Sequence, residues 1–286
     1  MALATWAVVV LVLLLVLVLL VVKVTRGSTT IVAPPVTPAP PEVVRAVTTL
    51  PASVFDAADP PPLQGPAAPL VLPGGPVLSA GGHPVVVYIG AEFCPFCAAE
   101  RWALVAALGR FGTFDRLGAT TSSATEIFPG IRTFTFDGAT YLSTLVTFSA
   151  VEEYGDVPSA RAPGGYVRLH ELSPLQQEVL HRFAPGLPAG AGSLPVVDVA
   201  NRLVVSGAAI GFSPAVLQGL SMSQIAAKLT DPSSTVAQQV LGAADMLSAA
   251  ICAATGEQPA TVCRSSGVTR AAERLGLPTA PGSPAG

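Results

Sequence analysis

Four residues, Cys94-Pro95-Phe96-Cys97, constrain this chain more than any other feature. They stand between a strand-like run, Val85-Val86-Val87-Tyr88-Ile89-Gly90, and a helix-like run from Ala98 to Phe111. A Cys-x-x-Cys so placed falls on the first turn of a helix, where free backbone N–H groups and the helix dipole stabilise a thiolate. Spacing alone would be ambiguous, because the same motif begins many zinc sites. Strand, motif, then helix instead predicts thiol–disulfide exchange. Cys94, nearer the helix N-terminus and solvent, is the expected nucleophile, and Cys97, one turn further in, the resolving thiol.

The surrounding pattern predicts a mixed α/β domain. Val85–Ile89 is continuously apolar and β-branched, as in a central strand buried on both faces. Trp102, Val105, Ala106, Leu108 and Phe111 recur near helical spacing, and Gly109 and Gly112 mark that helix's end. Ile131–Phe136 alternates like a half-buried strand, and Asp137-Gly138 predicts a turn into a hairpin partner over Leu142–Val151. Ser173-Pro174 reads as an N-cap and first helical position before Leu175–Phe183. Strands follow at Pro195–Val199 and Leu203–Val205, then helices at Ser213–Leu220, Met222–Leu229 and Ser234–Ala254, with Gly256 as the last stop. This is the element order of a thioredoxin-like fold with extra C-terminal helices. In that fold a cis proline opens the late hairpin and faces the cysteines. Leu194-Pro195 is the matching pair, expected to offer a backbone edge to a substrate peptide; an ordinary strand-initiating proline is the alternative.

Ala2 to Val22 is an uninterrupted apolar run, long enough to cross a bilayer core of roughly 30 Å. It predicts a transmembrane anchor over 2–22; a cleaved signal peptide or a buried helix would read similarly, but no basic leader or clear cleavage site is present. Lys23 and Arg26 follow the span and by themselves favour a cytoplasmic domain. The Pro- and Thr-rich stretch beyond them and the four cysteines in two plausible pairs favour the extracytoplasmic side, which is the expectation here. A Pro-rich linker is expected over 26–49, the main domain over 50–268, and a disordered tail over 277–286. The net charge of −3 and the lack of a basic block exclude nucleic acid as an expected partner.

The stretches Tyr88–Trp102, Thr133–Phe136, Ser193–Asp198, Ala250–Cys252 and Gln258–Cys263 together resemble the domain of unknown function 929 family, found in actinobacteria and archaea and regarded as thioredoxin-like. The resemblance spans roughly residues 50 to 268. It implies the fold and supplies no substrate. Compared with thioredoxins, which keep a buried Asp on the central strand below the cysteines, this chain aligns Tyr88 there, a far weaker base near neutral pH. Strongly oxidising homologues carry His between the cysteines where this chain has Pro95-Phe96, so an intermediate reduction potential is expected.

The expected function is therefore a membrane-anchored, extracytoplasmic oxidoreductase exchanging disulfides with cysteines of exported client proteins, with a membrane redox partner as a further expectation. Phe93 and Phe96, with Leu194 and Pro195, are the candidate substrate-binding residues. The alternative is a non-catalytic thioredoxin-like binding module with structural disulfides. Cys252 and Cys263, either side of the Gly256 stop, predict a structural disulfide or a second redox pair. No cofactor and no metal site is expected; a zinc or copper site would need Cys94 and Cys97 with partners such as His83, His170 or His181, which show no paired spacing. Glu92 and Glu100 read as solvated charges.

Overall fold

A computed structural model describes residues 6, 11–18, 35–64, 68–160, 162, 165–183, 194–208 and 210–278. The chain divides into two units, 1–34 and 35–286. In the first, Trp6 and residues 11–18 are helical and exposed. The rest of the expected anchor, the linker over 26–34 and the tail from 279 lie outside the described residues.

The second unit opens with strand β1 (Thr37–Pro38) and helices α1 (Pro41–Thr48) and α2 (Ala52–Asp56). Strands β2 (Leu70–Val71), β3 (Ser79–Ala80) and β4 (His83–Gly90) lead into helix α3 (Pro95–Leu108). Strands β5 (Thr113–Thr121), β6 (Arg132–Leu142), β7 (Thr147–Glu152), β8 (Tyr154–Pro158) and β9 (Tyr166–Arg168) follow, then helix α4 (Pro174–Phe183). Strands β10 (Val196–Val199) and β11 (Leu203–Ser206) precede a 3-10 turn at Pro214–Leu217 and helices α5 (Met222–Leu229), α6 (Thr235–Thr255), α7 (Ala260–Cys263) and α8 (Ser266–Leu275).

The apolar run of β4 makes it the centre of the main sheet. It pairs in parallel with β7, setting Gly90 opposite Glu152, and antiparallel with β10, setting Tyr88 opposite Val197. Beyond β10 lie β11 and β2, while β3 pairs with the start of β4. Because side chains alternate across a strand, Val86 and Tyr88 enter the core beneath α3 and α6, whereas Val85, Val87 and Ile89 enter the core that contains Val179 of α4. Helix α6 is long and apolar enough to cross a membrane, yet 83% of that apolar window is buried, which makes it a core helix. Ser234 caps its start, and Gly256 in the left-handed region ends it.

Several expectations are corrected. Residues 142–151 are not the hairpin partner of the strand at 131–136. β6 pairs instead with β5, a strand the sequence reading lacked, and β7 joins β4. Asp137-Gly138 lies inside β6, where the pairing with β5 shifts register, so its turn chemistry makes an irregularity and not a reversal. The Thr- and charge-rich sequence of β5 and its two register shifts blur the alternation that would have exposed it. The Pro-rich spacer also ends earlier than Thr49. Thr37 pairs with Ala119, and Pro40 and Pro41 start α1, whose Val43 and Val47 are buried. Proline is tolerated there because the first turn's N–H groups have no intrahelical acceptor. At the other end, Leu277 is buried against the core instead of opening a tail. The helix expected at 213–220 is only the short 3-10 turn.

Cys252 of α6 and Cys263 of α7 form a disulfide closing a loop of sequence separation 11. Replacing both with Ser is expected to lower stability by about 2–3 kcal/mol through release of the unfolded chain, seen as a lower denaturant midpoint.

Candidate functional site

Residues Ala91, Glu92 and Phe93 carry the chain from the end of β4 into α3. The Ala91 carbonyl accepts a hydrogen bond from the Cys94 N–H at 3.2 Å, closing this turn. Cys94 is the N-cap of α3 in an extended conformation, with Pro95 next. Its Sγ accepts from the Cys97 backbone N–H at 3.3 Å, the place an N-cap oxygen normally takes. On its other side the Cys94 thiol donates to the Leu194 carbonyl at 3.7 Å. Both thiols are free, Cys94 being 6% exposed and Cys97 fully buried.

The two sulfurs are electrostatically unequal. Cys94 is held below the ordinary thiol range by the Cys97 thiol hydrogen bond. The Cys97 and Phe96 N–H groups and the Arg101 charge act in the same sense, against the effect of burial. Cys97 is pushed well up by burial, by its hydrogen bond to Cys94 and by the charge on that sulfur. The arrangement suits one thiolate at the helix N-terminus and one retained proton inside.

Leu194 is nearly buried and its bond to Pro195 is cis, just before the strand that pairs with β4. Phe93 and Phe96 are half-buried. Phe93 stacks on Tyr166 at 4.0 Å between ring centroids and meets Tyr154 edge-on at 6.3 Å, while Phe96 meets Phe128 at 6.0 Å. An aromatic wall therefore stands beside Cys94, and the rings are packed on one another as well as partly open. Cys252 and Cys263 belong to the core beneath α6, whereas Cys94 and Cys97 belong to the other core. His83 and His181 are exposed, and His170 bonds Asp137 at 2.8 Å. Among the described residues no three metal-binding side chains come together. A cavity of about 810 Å³ opens between α1, β1 and β5, and its lining includes neither Cys94 nor Cys97.

Two residues absent from the sequence reading sit within this site. Arg101 and Glu152 form a fully buried ion pair at 2.7 Å. The signals were present: Arg101 interrupts an apolar helix one turn after Cys97, and Glu152 ends an apolar strand. Tyr88 donates its hydroxyl to Glu152 Oε2 at 3.4 Å, so the position expected to replace a buried acid is hydrogen-bonded to one brought in by the neighbouring strand. Burial pushes the Tyr88 phenol well up, which keeps it a neutral donor.

The reading of Glu92 and Glu100 as solvated charges is corrected. Glu92 is half-buried, and burial pushes its carboxyl up to about 7. Glu100 is completely buried, its Oε2 accepting from the Ile210 N–H at 2.8 Å. The connection after β11 covers it, which the composition around it does not show. Burial pushes Glu100 up to about 7 against that one hydrogen bond. A folded-state value above the unfolded one means the folded protein holds an extra proton between about pH 4.5 and 7. Stability should therefore fall as pH rises through that window, by on the order of 3 kcal/mol from this group alone. Denaturant midpoints at pH 5 and pH 8, compared between the native chain and Glu100→Gln, check this; equal pH slopes in both would refute the assignment.

Residues 76–181 match the family model described as a domain of unknown function, DUF929. Over that segment the chain is similar to DUF929. That segment contains Cys94, Cys97, Arg101 and Glu152, together with the aromatic wall. The Leu194 carbonyl and helices α5 to α8 lie beyond the DUF929 match. Neither a curated protein nor a solved structure matches this chain.

Proposed function

We propose that this protein is a thioredoxin-like thiol–disulfide oxidoreductase, anchored by its N-terminal apolar helix, that exchanges disulfides with exported proteins on the extracytoplasmic side. The observation that carries the reading is the cysteine pair itself: an N-capping sulfur held by the Cys97 N–H, with a buried thiol one turn behind it. The strand order supports the fold reading, with β4 between parallel β7 and antiparallel β10 and with β11 outside β10. The exposed apolar helix at 11–18 supports a bilayer partner, and the Cys252–Cys263 disulfide suits an oxidising compartment.

In the reducing direction the Cys94 thiolate attacks one sulfur of a client disulfide. The client S–S bond breaks, and its other sulfur leaves as a thiolate and takes a proton. Cys97 then loses its proton and attacks Cys94 Sγ. This closes the Cys94–Cys97 disulfide and expels the second client sulfur, so two electrons pass to the client. Oxidation of a client dithiol is the reverse sequence.

Near-complete burial of both sulfurs favours the second reading, a binding module with a structural pair. Equilibration of the full chain in detergent with glutathione separates the two. A potential among known oxidoreductases, with clients captured as mixed disulfides by Cys97→Ser, supports exchange. A potential below about −300 mV and no captured client would leave a structural disulfide.

A further inference from the structure

Beneath the cysteine pair lies a charged group that packing alone does not call for. Arg101 follows Cys97 by one turn on α3, and neither its side chain nor that of Glu152 reaches solvent. The guanidinium donates from Nε to Glu152 Oε1 at 2.9 Å and from Nη2 to Glu152 Oε2 at 2.7 Å. Nη2 also donates to the Ala91 carbonyl at 2.7 Å, the same oxygen that accepts the Cys94 N–H. One carbonyl thus ties the guanidinium to the peptide unit bearing the attacking sulfur. Nη1 is buried and committed to no hydrogen bond. Glu152 is held from two further sides, by the Phe136 N–H at 3.2 Å and the Tyr88 hydroxyl.

A buried ion pair is a poor means of stabilising a fold, because apolar residues of the same volume often do as well or better. Its place below Cys94 and Cys97 needs another reason. We infer that Arg101 is a positioning residue for the thiol chemistry: tied to the Cys94 turn through the Ala91 carbonyl, its guanidinium stabilises negative sulfur at the pair, and Glu152 sets how much of that charge the sulfurs feel. This rests on the exchange activity proposed above. The charged groups acting on the pair come from two elements, Arg101 on α3 and Glu152 on β7, and the neutral Tyr88 on β4 bonds the acid. Glu92, in the turn, shares the field of Arg101 and Glu152. Arg101 favours the thiolate at both cysteines, and Glu152 opposes it at Cys97.

The test is titration of the thiolate ultraviolet absorbance in the reduced full chain, paired with the glutathione equilibrium. Glu152→Gln, which leaves Arg101 uncompensated, is expected to lower the Cys94 midpoint by about one pH unit. It should also shift the equilibrium about tenfold toward the dithiol, a potential about 30 mV more oxidising. Arg101→Gln is expected to shift both by similar amounts in the opposite sense, and Arg101→Lys to stay near the native values. A purely structural pair predicts single variants that move together or not at all, and either result overturns the inference. Where Glu152→Gln does not fold, Glu152→Asp, which draws the charge away from the guanidinium, is expected to lower the midpoint by a smaller amount. Absence of that lowering is equally decisive. The titration needs no client, so failure to capture clients would count against the exchange reading and leave the role of Arg101 to be decided by the midpoints.

Discussion

Arg110→Met is expected to destabilise the domain by about 3–5 kcal/mol, the effect of breaking a buried pair from one side. Arg110 stands just past the end of α3 and reaches across the helical layer. Nη1 donates to Asp245 Oδ1 at 2.7 Å and to Ser248 Oγ at 3.2 Å, both on α6, and Nη2 donates to Ser265 Oγ at 3.1 Å, beside α8. The guanidinium also lies 4.2 Å over the Phe55 ring of α2. A single side chain therefore joins four helices at one point. Asp245 is fully buried, and burial pushes its carboxyl up to about 7 even against the Arg110 charge. Without Arg110 the carboxylate is costlier still, so the loss should be larger at pH 8 than at pH 5, where the group is protonated. Urea unfolding of Arg110→Met at those two pH values measures this. Replacing Asp245 with Leu in the same chain should recover part of the loss. A cost below about 1 kcal/mol at both pH values would show that the pair behaves like an exposed one.

Cys94→Ala is expected to abolish disulfide exchange entirely, while Cys97→Ser halts it after the first step. The difference follows from position. Cys94 is the sulfur at the helix N-terminus, with the Cys97 N–H aimed at it. Cys97 is sealed beneath and can attack only Cys94. Insulin reduction followed in the full chain and both variants should give no rate above background in either. Only Cys97→Ser should accumulate a reductant-sensitive adduct. Exchange persisting in Cys94→Ala would place the nucleophile elsewhere. Stability is expected to change little in Cys94→Ala, since the sulfur's two hydrogen bonds are weak ones.

Local chemistry made much of the fold legible. A short β-branched run with no alternation reads as a strand covered on both faces, and β4 is that strand. Ser234 before an apolar helix and Gly256 after it set the limits of α6 to within a residue. The cysteine motif's place at the start of α3 followed from the strand before it and the helical spacing after it. What failed to read out was whatever depended on partners distant in sequence. Asp137-Gly138 has the composition of a hairpin turn and sits inside β6, because pairing with β5 continues past the irregularity.

The same division holds at the site. The sequence alone determined that two thiols would lie one helical turn apart at a helix N-terminus, since spacing and capping are local properties. Their environment came from pairing between distant parts of the chain. Glu152 is 51 residues from the Arg101 it binds, and the Leu194 carbonyl is 100 residues from the Cys94 sulfur it meets. Glu100 and Arg101, adjacent acidic and basic residues on one helix, are both buried for reasons neither neighbour supplies: one under the connection after β11, the other against β7. A charge carries no mark of burial in the sequence, because its solvation is set by whatever long-range pairing happens to cover it.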